Sequence, residues 1–220
     1  MELSKYIDHT CIKADTTITD VQKLCREAIE HIFATVCVPP LFVKTVKILT
    51  AETAVKCAAV IGFPFGYSAI EAKVAEMVLA IIDGADEIEM VINTGAVKND
   101  DWQYLASEIN TVMPVVRSKG RKITVILETV LMTEEEIIRC CDIFGAAGVD
   151  FVKAGTGTME NDLVAAQVKL IRKHLAEPVH IKVATGLKNY SDAKNLFNAG
   201  ANRFSCNNSL RMLQEALQQN

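Results

Sequence analysis

The sequence predicts an α/β protein, a closed (β/α)8 TIM barrel in which residues 1–220 form a single compact domain. Three observations predict it. Short β-rich runs alternate with longer helix-period runs. The β-rich runs number eight, and the spacing between them leaves room for one strand, one helix and two short loops. No change of composition, Pro/Gly/Ser linker or low-complexity stretch interrupts the rhythm. Repeated βα units give parallel strands with right-handed crossovers, and eight such strands close with side chains filling the interior. The open doubly wound sheet is the alternative, but no G-x-G-x-x-G follows any strand.

In order, the expected strands are residues 6–11, 33–38, 55–62, 87–93, 122–128, 149–154, 179–184 and 203–206. Thr17 with Asp20 opens the first helix as a capping box, and Val21, Leu24, Cys25, Ala28, Ile29 and Ile32 form its apolar stripe. Trp102, Leu105, Ile109 and Val112 form another stripe, expected to stop at Pro114. Thr133 and Glu136 repeat the capping box ahead of Ile137, Cys141 and Phe144. Ser191 is the expected cap of a helix that ends near Gly200.

Composition narrows the function. Half the residues are hydrophobic and 23% are charged, enough to build a core and too much for disorder. A net charge of −4 without a basic stretch argues against a nucleic-acid partner. No apolar run is long enough to span a membrane, and the first residues lack the plan of a signal peptide. Seven cysteines, an odd number with no C-x-x-C, read as reduced thiols of a cytoplasmic protein. The four histidines show no ligand spacing, so a zinc site is not expected.

Reactive groups in such a barrel gather at the carboxyl ends of strands, so charges inside apolar runs are the candidates. Lys153 ends the run Phe151-Val152-Lys153, and Lys182 sits in the next strand, His180-Ile181-Lys182-Val183. Neighbouring strands lie about 4.8 Å apart. Two inward ammonium groups at one height would disfavour double protonation, pushing one amine toward neutrality as imine chemistry requires. The plainer alternative has the lysines outside, paired with helix carboxylates. Glu87, Glu89, Val91 and Asn93 share one strand face, Glu128 ends the fifth strand and Asp8 lies in the first. These acids would neutralise the lysines, and a structural ion-pair network without chemistry is the competing reading. His180 reads as a buried core histidine, Cys37 as a packing thiol near the site, and residues 62–66 as a loop at the rim.

Ile7-Asp8-His9-Thr10, Val36-Cys37-Val38, Val60-Ile61-Gly62-Phe63-Pro64-Phe65-Gly66, Asp86-Glu87-Ile88-Glu89-Met90-Val91-Ile92-Asn93, Val125-Ile126-Leu127-Glu128-Thr129 and Asp150-Phe151-Val152-Lys153 together resemble the deoxyribose-phosphate aldolases. The resemblance runs in register from the first strand to the last. It implies a class I aldolase, independent of metal and cofactor, that interconverts 2-deoxyribose 5-phosphate with acetaldehyde and glyceraldehyde 3-phosphate. By position, Lys153 resembles the Schiff-base lysine, and Lys182 the second lysine that lowers its pKa and relays protons. Glu89 stands where the family has an aspartate working with a water. Asp8, Thr156, Gly157, Gly186, Lys188, Asn207 and Asn208 are the expected substrate-binding residues, and a homodimer or higher homo-oligomer is the expected assembly.

The chain departs from the pattern where phosphate would bind. Ala154-Gly155-Thr156-Gly157 replaces Thr-Ser-Thr-Gly, and Ala184-Thr185-Gly186-Leu187-Lys188 keeps one of two glycines. Ser205-Cys206-Asn207-Asn208 replaces Gly-x-Ser-Ser. Side chains in place of glycines fill space an anion would use. Two further readings follow: a class I aldolase for a non-phosphorylated or differently substituted aldehyde or keto-acid, or a non-catalytic barrel that binds a sugar phosphate.

Overall fold

The structure, a computed structural model, describes residues 2–161 and 164–218. Eight parallel strands pair in sequence order, and the last closes on the first: β1 (Ile7–Thr10), β2 (Thr35–Val38), β3 (Lys56–Ile61), β4 (Glu87–Val91), β5 (Lys122–Leu127), β6 (Phe151–Ala154), β7 (His180–Val183) and β8 (Arg203–Cys206). Around them run α1 (Ile18–Glu30), α2 (Val43–Leu49), α3 (Ile70–Ile82), a short α4 (Thr94–Lys98), α5 (Trp102–Ser118), α6 (Glu134–Ala147), α7 (Val164–His174), α8 (Tyr190–Ala199) and α9 (Ser209–Gln218).

The strands are buried on both faces, as a barrel wrapped in helices demands. One face supplies Val36, Cys57, Ile88, Val125, Val152 and Ile181, which pack with the helix stripes in a continuous core. The alternate residues point inward. Register aligns three cations on that inner face: Lys153 lies opposite Lys182, and Lys182 opposite Arg203. On the other side of the closure Asp8 lies opposite both Thr35 and Ser205.

The capping boxes at Thr17–Asp20 and Thr133–Glu136 are both formed. Gly200 ends α8 in the left-handed conformation, at φ 115°. Several expectations need correction. Asn189, not Ser191, caps α8: its backbone is extended and its Oδ1 accepts from Asp192 N at 3.0 Å, leaving Ser191 inside the helix. Helix α1 ends at Glu30, so Ile32 falls beyond the stripe and is 63% exposed. Pro114 does not stop α5, which continues to Ser118. Asn110 and Pro114 both lie on the exposed side, which leaves the carbonyl that the proline frees open to solvent, and buried Val112, Met113 and Val116 hold the helix together. The first strand is shorter than expected, because residues Leu3–Tyr6 form a 3-10 turn. Among the described residues no helix is long and apolar enough to cross a membrane.

Candidate active site

The carboxyl ends of the strands open into a cavity of about 890 Å³. One wall is apolar, built from Pro39, Pro40, Phe42, Phe63 and Pro64, so the loop at 62–66 does shape the rim. The opposite wall is polar, with Thr156, Gly157, Ser205, Asn207 and Asn208, and Lys153 lies at the floor.

Lys153 Nζ donates to Glu89 Oε2 at 2.7 Å, and Lys182 Nζ donates to Glu89 Oε1 at 2.9 Å. One carboxylate therefore stands between the two amines. Lys182 also reaches Glu87 Oε2 at 2.8 Å and Asp8 Oδ2 at 3.2 Å. All four of Asp8, Glu89, Lys153 and Lys182 are fully buried. Burial pushes the Glu89 carboxyl up, but the adjacent Lys153 and Lys182 ammonium groups outweigh it and hold it down at about 2. Burial likewise opposes the charge on Lys182, yet Asp8, Glu87 and Glu89 together raise its pKa above the ordinary lysine value.

Of the two crowded amines, Lys182 is therefore not the one discharged. Three carboxylates surround Lys182 and keep it charged. Cys37 Sγ lies 3.7 Å from Glu89 Oε2, and burial, reinforced by Glu89, pushes its thiol well above the ordinary range. That suits a packing thiol.

The structure brings Lys153, Thr156, Gly157, Asn207 and Asn208 together around the cavity. It does not bring Asp8, Gly186 or Lys188 to the lining. Asp8 is sealed inside the barrel, accepting from Thr35 Oγ1 at 2.6 Å and from the Arg203 guanidinium. Gly186 has φ 70°, and a Cβ there would stand 2.5 Å from Val164 Cγ1, so it serves close packing and a left-handed turn. Lys188 is exposed. Glu128 does not join the charge cluster; its Oε2 accepts from Thr156 N at 3.0 Å and from the Thr156 hydroxyl, steadying the loop after β6. In that loop Asp162 lies outside the described residues. Nor is His180 a core residue, since it sits exposed at the amino end of β7 against Phe151. His9 faces the helices, bonded to Ser209 Oγ at 2.9 Å and Glu27 Oε2 at 2.8 Å.

Sequence reasoning missed Arg203, whose alternation with inward Ser205 would have revealed it, and Lys13, a cation of the cavity mouth in the loop after β1. A loop has no period, so no sequence signal pointed to Lys13.

Comparison with known proteins adds the following. The model of the DeoC/LacD family aldolases matches residues 3–206. The deoxyribose-phosphate aldolase of Thermococcus gammatolerans is 43% identical over 218 residues, covering 98% of this chain and 97% of that one. The solved aldolase QR15 superposes with a TM-score of 0.91 at 28% identity, covering 99% of this chain and 96% of that one. A deoxyribose phosphate aldolase from Aeropyrum pernix, described as a tetramer, shares the fold with a TM-score of 0.91 at 24% identity, covering 99% and 92%.

Proposed function

The chain belongs to the DeoC/LacD aldolase family and is a carbon–carbon lyase; from that premise we propose that it cleaves 2-deoxyribose 5-phosphate to acetaldehyde and glyceraldehyde 3-phosphate through a Schiff base on Lys153. The observation that carries this reading is the position of Lys153 at the cavity floor, with Glu89 between it and the charged Lys182.

Lys153 passes a proton to Glu89 Oε2 along their 2.7 Å hydrogen bond, and its neutral amine attacks C1 of the open-chain sugar. The carbinolamine takes up a proton, supplied by Glu89 or Lys182, and loses water to give an iminium. That cation is the electron sink, so neither a metal nor an organic cofactor is required. Glu89, acting through a water, accepts the proton of the C3 hydroxyl. The bond between C2 and C3 then breaks, because acetaldehyde carries C1 and C2. Glyceraldehyde 3-phosphate leaves with its aldehyde at the former C3. The enamine is protonated at C2, and water hydrolyses the imine to return Lys153.

The 5-phosphate lies toward Gly157, Asn207 and Asn208, where the first turn of α9 directs backbone N–H groups and Lys13 adds charge at the mouth. Asn208 Nδ2 donates to the Leu187 and Lys188 carbonyls at 3.1 and 3.2 Å, which steadies this wall from behind. The seven thiols are unpaired, which suits a reducing cytoplasm. Exposed Ile48, Leu79 and Ile82 on α2 and α3 support a homo-oligomer, which light scattering reads directly.

The test is reductive trapping. Acetaldehyde with cyanoborohydride should alkylate Lys153, located by peptide mass mapping, and Lys153→Leu should lose both the adduct and turnover of 2-deoxyribose 5-phosphate. An adduct on Lys182 instead, or undiminished turnover by the variant, would overturn the assignment. Equal kcat/KM for 2-deoxyribose with and without its phosphate would overturn the substrate.

A further inference from the structure

Charge inside the barrel continues below Lys182. Arg203, the first residue of β8, is 14% exposed at the amino-terminal end. Its Nε donates to Asp8 Oδ1 at 3.0 Å, Nη2 contacts the same oxygen, and Nη1 lies 3.7 Å from Glu87 Oε1. Its guanidinium stands 5.7 Å from the Phe151 ring, and the Lys182 ammonium stands 4.5 Å from that ring on its way up to Glu89.

Round the barrel, the groups facing this network are few. β1 gives Asp8, β2 gives Thr35 and the Cys37 thiol, and β3 gives Ala58 and Val60, with Lys56 exposed at its outer base opposite Thr35. β4 gives Glu87 and Glu89, and β5 gives Thr124, with Lys122 at its outer base 6.0 Å from the Phe151 ring. β6 gives Lys153, β7 gives Lys182 with His180 exposed beneath it, and β8 gives Arg203 and the Ser205 hydroxyl. Three carboxylates (Asp8, Glu87, Glu89) face three cations (Lys153, Lys182, Arg203), so the interior sums to zero. Shifting one proton from Lys153 to Glu89 leaves it at zero, and so does a protonated imine on Lys153 beside ionised Glu89. Both states of the chemistry are therefore matched, provided the third cation never loses its proton. A guanidinium meets that condition.

We propose that Arg203 is a positioning residue of the reaction: as the permanent counter-charge to Asp8 and Glu87, it sets the pH at which Lys153 becomes a nucleophile. The inference rests on Lys153 being the imine lysine. Without Arg203 the interior carries one unmatched negative charge, which favours the charged form of Lys153. Without Glu87 it carries one unmatched positive charge, which favours the neutral amine.

The experiment is the pH dependence of acetaldehyde trapping on Lys153 by cyanoborohydride, followed by intact mass. Arg203→Met should move the midpoint upward by about 1 unit, and Glu87→Gln downward by a similar amount. Arg203→Lys, and the balanced pair Arg203→Met with Asp8→Asn, should return it toward the unaltered protein. A purely structural role would lower trapping at every pH without moving the midpoint. If Arg203→Met does not fold, the downward shift of Glu87→Gln carries the test alone. Unmoved midpoints with Lys153 still trapped would overturn this proposal only. No adduct on Lys153 of the unaltered protein at any pH would overturn the Schiff-base reading beneath it.

Discussion

Glu89 spans Lys153 at 2.7 Å and Lys182 at 2.9 Å with its two oxygens, so its length is matched to the gap between them. Glu89→Asp would withdraw the carboxylate by roughly 1.5 Å, one carbon–carbon bond. The short acid cannot hold both amines directly. We expect kcat to fall by about 10- to 100-fold while Lys153 remains trappable, since misplacement by about 1 Å costs that much in a positioned reaction. Unchanged kcat would show that a water makes up the distance. At this scale the chemistry was legible early. Lysine and glutamate in mid-strand stand out against valine and isoleucine, which is why Lys153, Lys182 and Glu89 are found from residue types alone. Their pairing was not legible. Two lysines on neighbouring strands suggested repulsion, whereas the carboxylate between them makes the contact attractive and keeps Lys182 charged.

Helices α3 and α5 contribute a second buried pair outside the barrel. Lys73 Nζ donates to Glu108 Oε1 at 2.6 Å and to Val91 O at 2.8 Å, while Glu108 Oε2 accepts from Asn93 N at 3.1 Å. Both side chains are fully buried. Burial pushes Lys73 down and Glu108 up, each against the attraction of the other. The pair clamps the end of β4, two and four residues beyond Glu89. Lys73→Met leaves Glu108 buried without its cation and should cost about 3–5 kcal/mol. Adding Glu108→Gln keeps an acceptor for Asn93 N and should recover most of that loss. Denaturant unfolding of both variants checks it, and a double variant no more stable than the single one would show that the ion pair itself stabilises. The elements themselves were largely legible: Thr17, Thr133 and Gly200 mark helix ends by local hydrogen bonding or by left-handed backbone. Ser191 and Pro114 misled because a local signal was outranked. Asn189 offered a better-placed oxygen two residues earlier, and burial of Val116 outweighed one missing hydrogen bond.

For the whole molecule, the interior charges tie stability to acid. Burial opposes ionisation of Asp8, but Arg203 and Lys182 bring it below the ordinary carboxylate range, and Glu89 is held at about 2 against an ordinary 4.5. A carboxyl whose folded pKa is depressed contributes stability that is present above its unfolded pKa and lost as pH falls through the folded value. Glu89 therefore stabilises above about 4.5 and ceases to do so toward about 2. His9, lowered by burial against the pull of Glu27, starts the same trend below 6.5, while the raised Glu108 opposes it in part. We expect Tm to decline slowly below about pH 6.5 and steeply below about 4.5. Asp8→Asn should flatten the steep part; an unchanged acid limb in that variant would place the acid sensitivity elsewhere.

Period and count settle the architecture from sequence alone. Alternation of apolar residues specifies strands, 3.6-residue stripes specify helices, and eight repeats without a linker specify closure, because these are local consequences of backbone geometry. Alternation also tells which face of a strand a charge occupies. It does not tell the height of that charge within the barrel, or which partner it meets from a strand distant in the chain. Asp8, Glu87, Glu89, Lys153, Lys182 and Arg203 come from five strands spread over the whole chain, and only the closed barrel's register assembles them. A dry interior tolerates charge only as a balanced set, and that balance belongs to the folded molecule rather than to any segment of it.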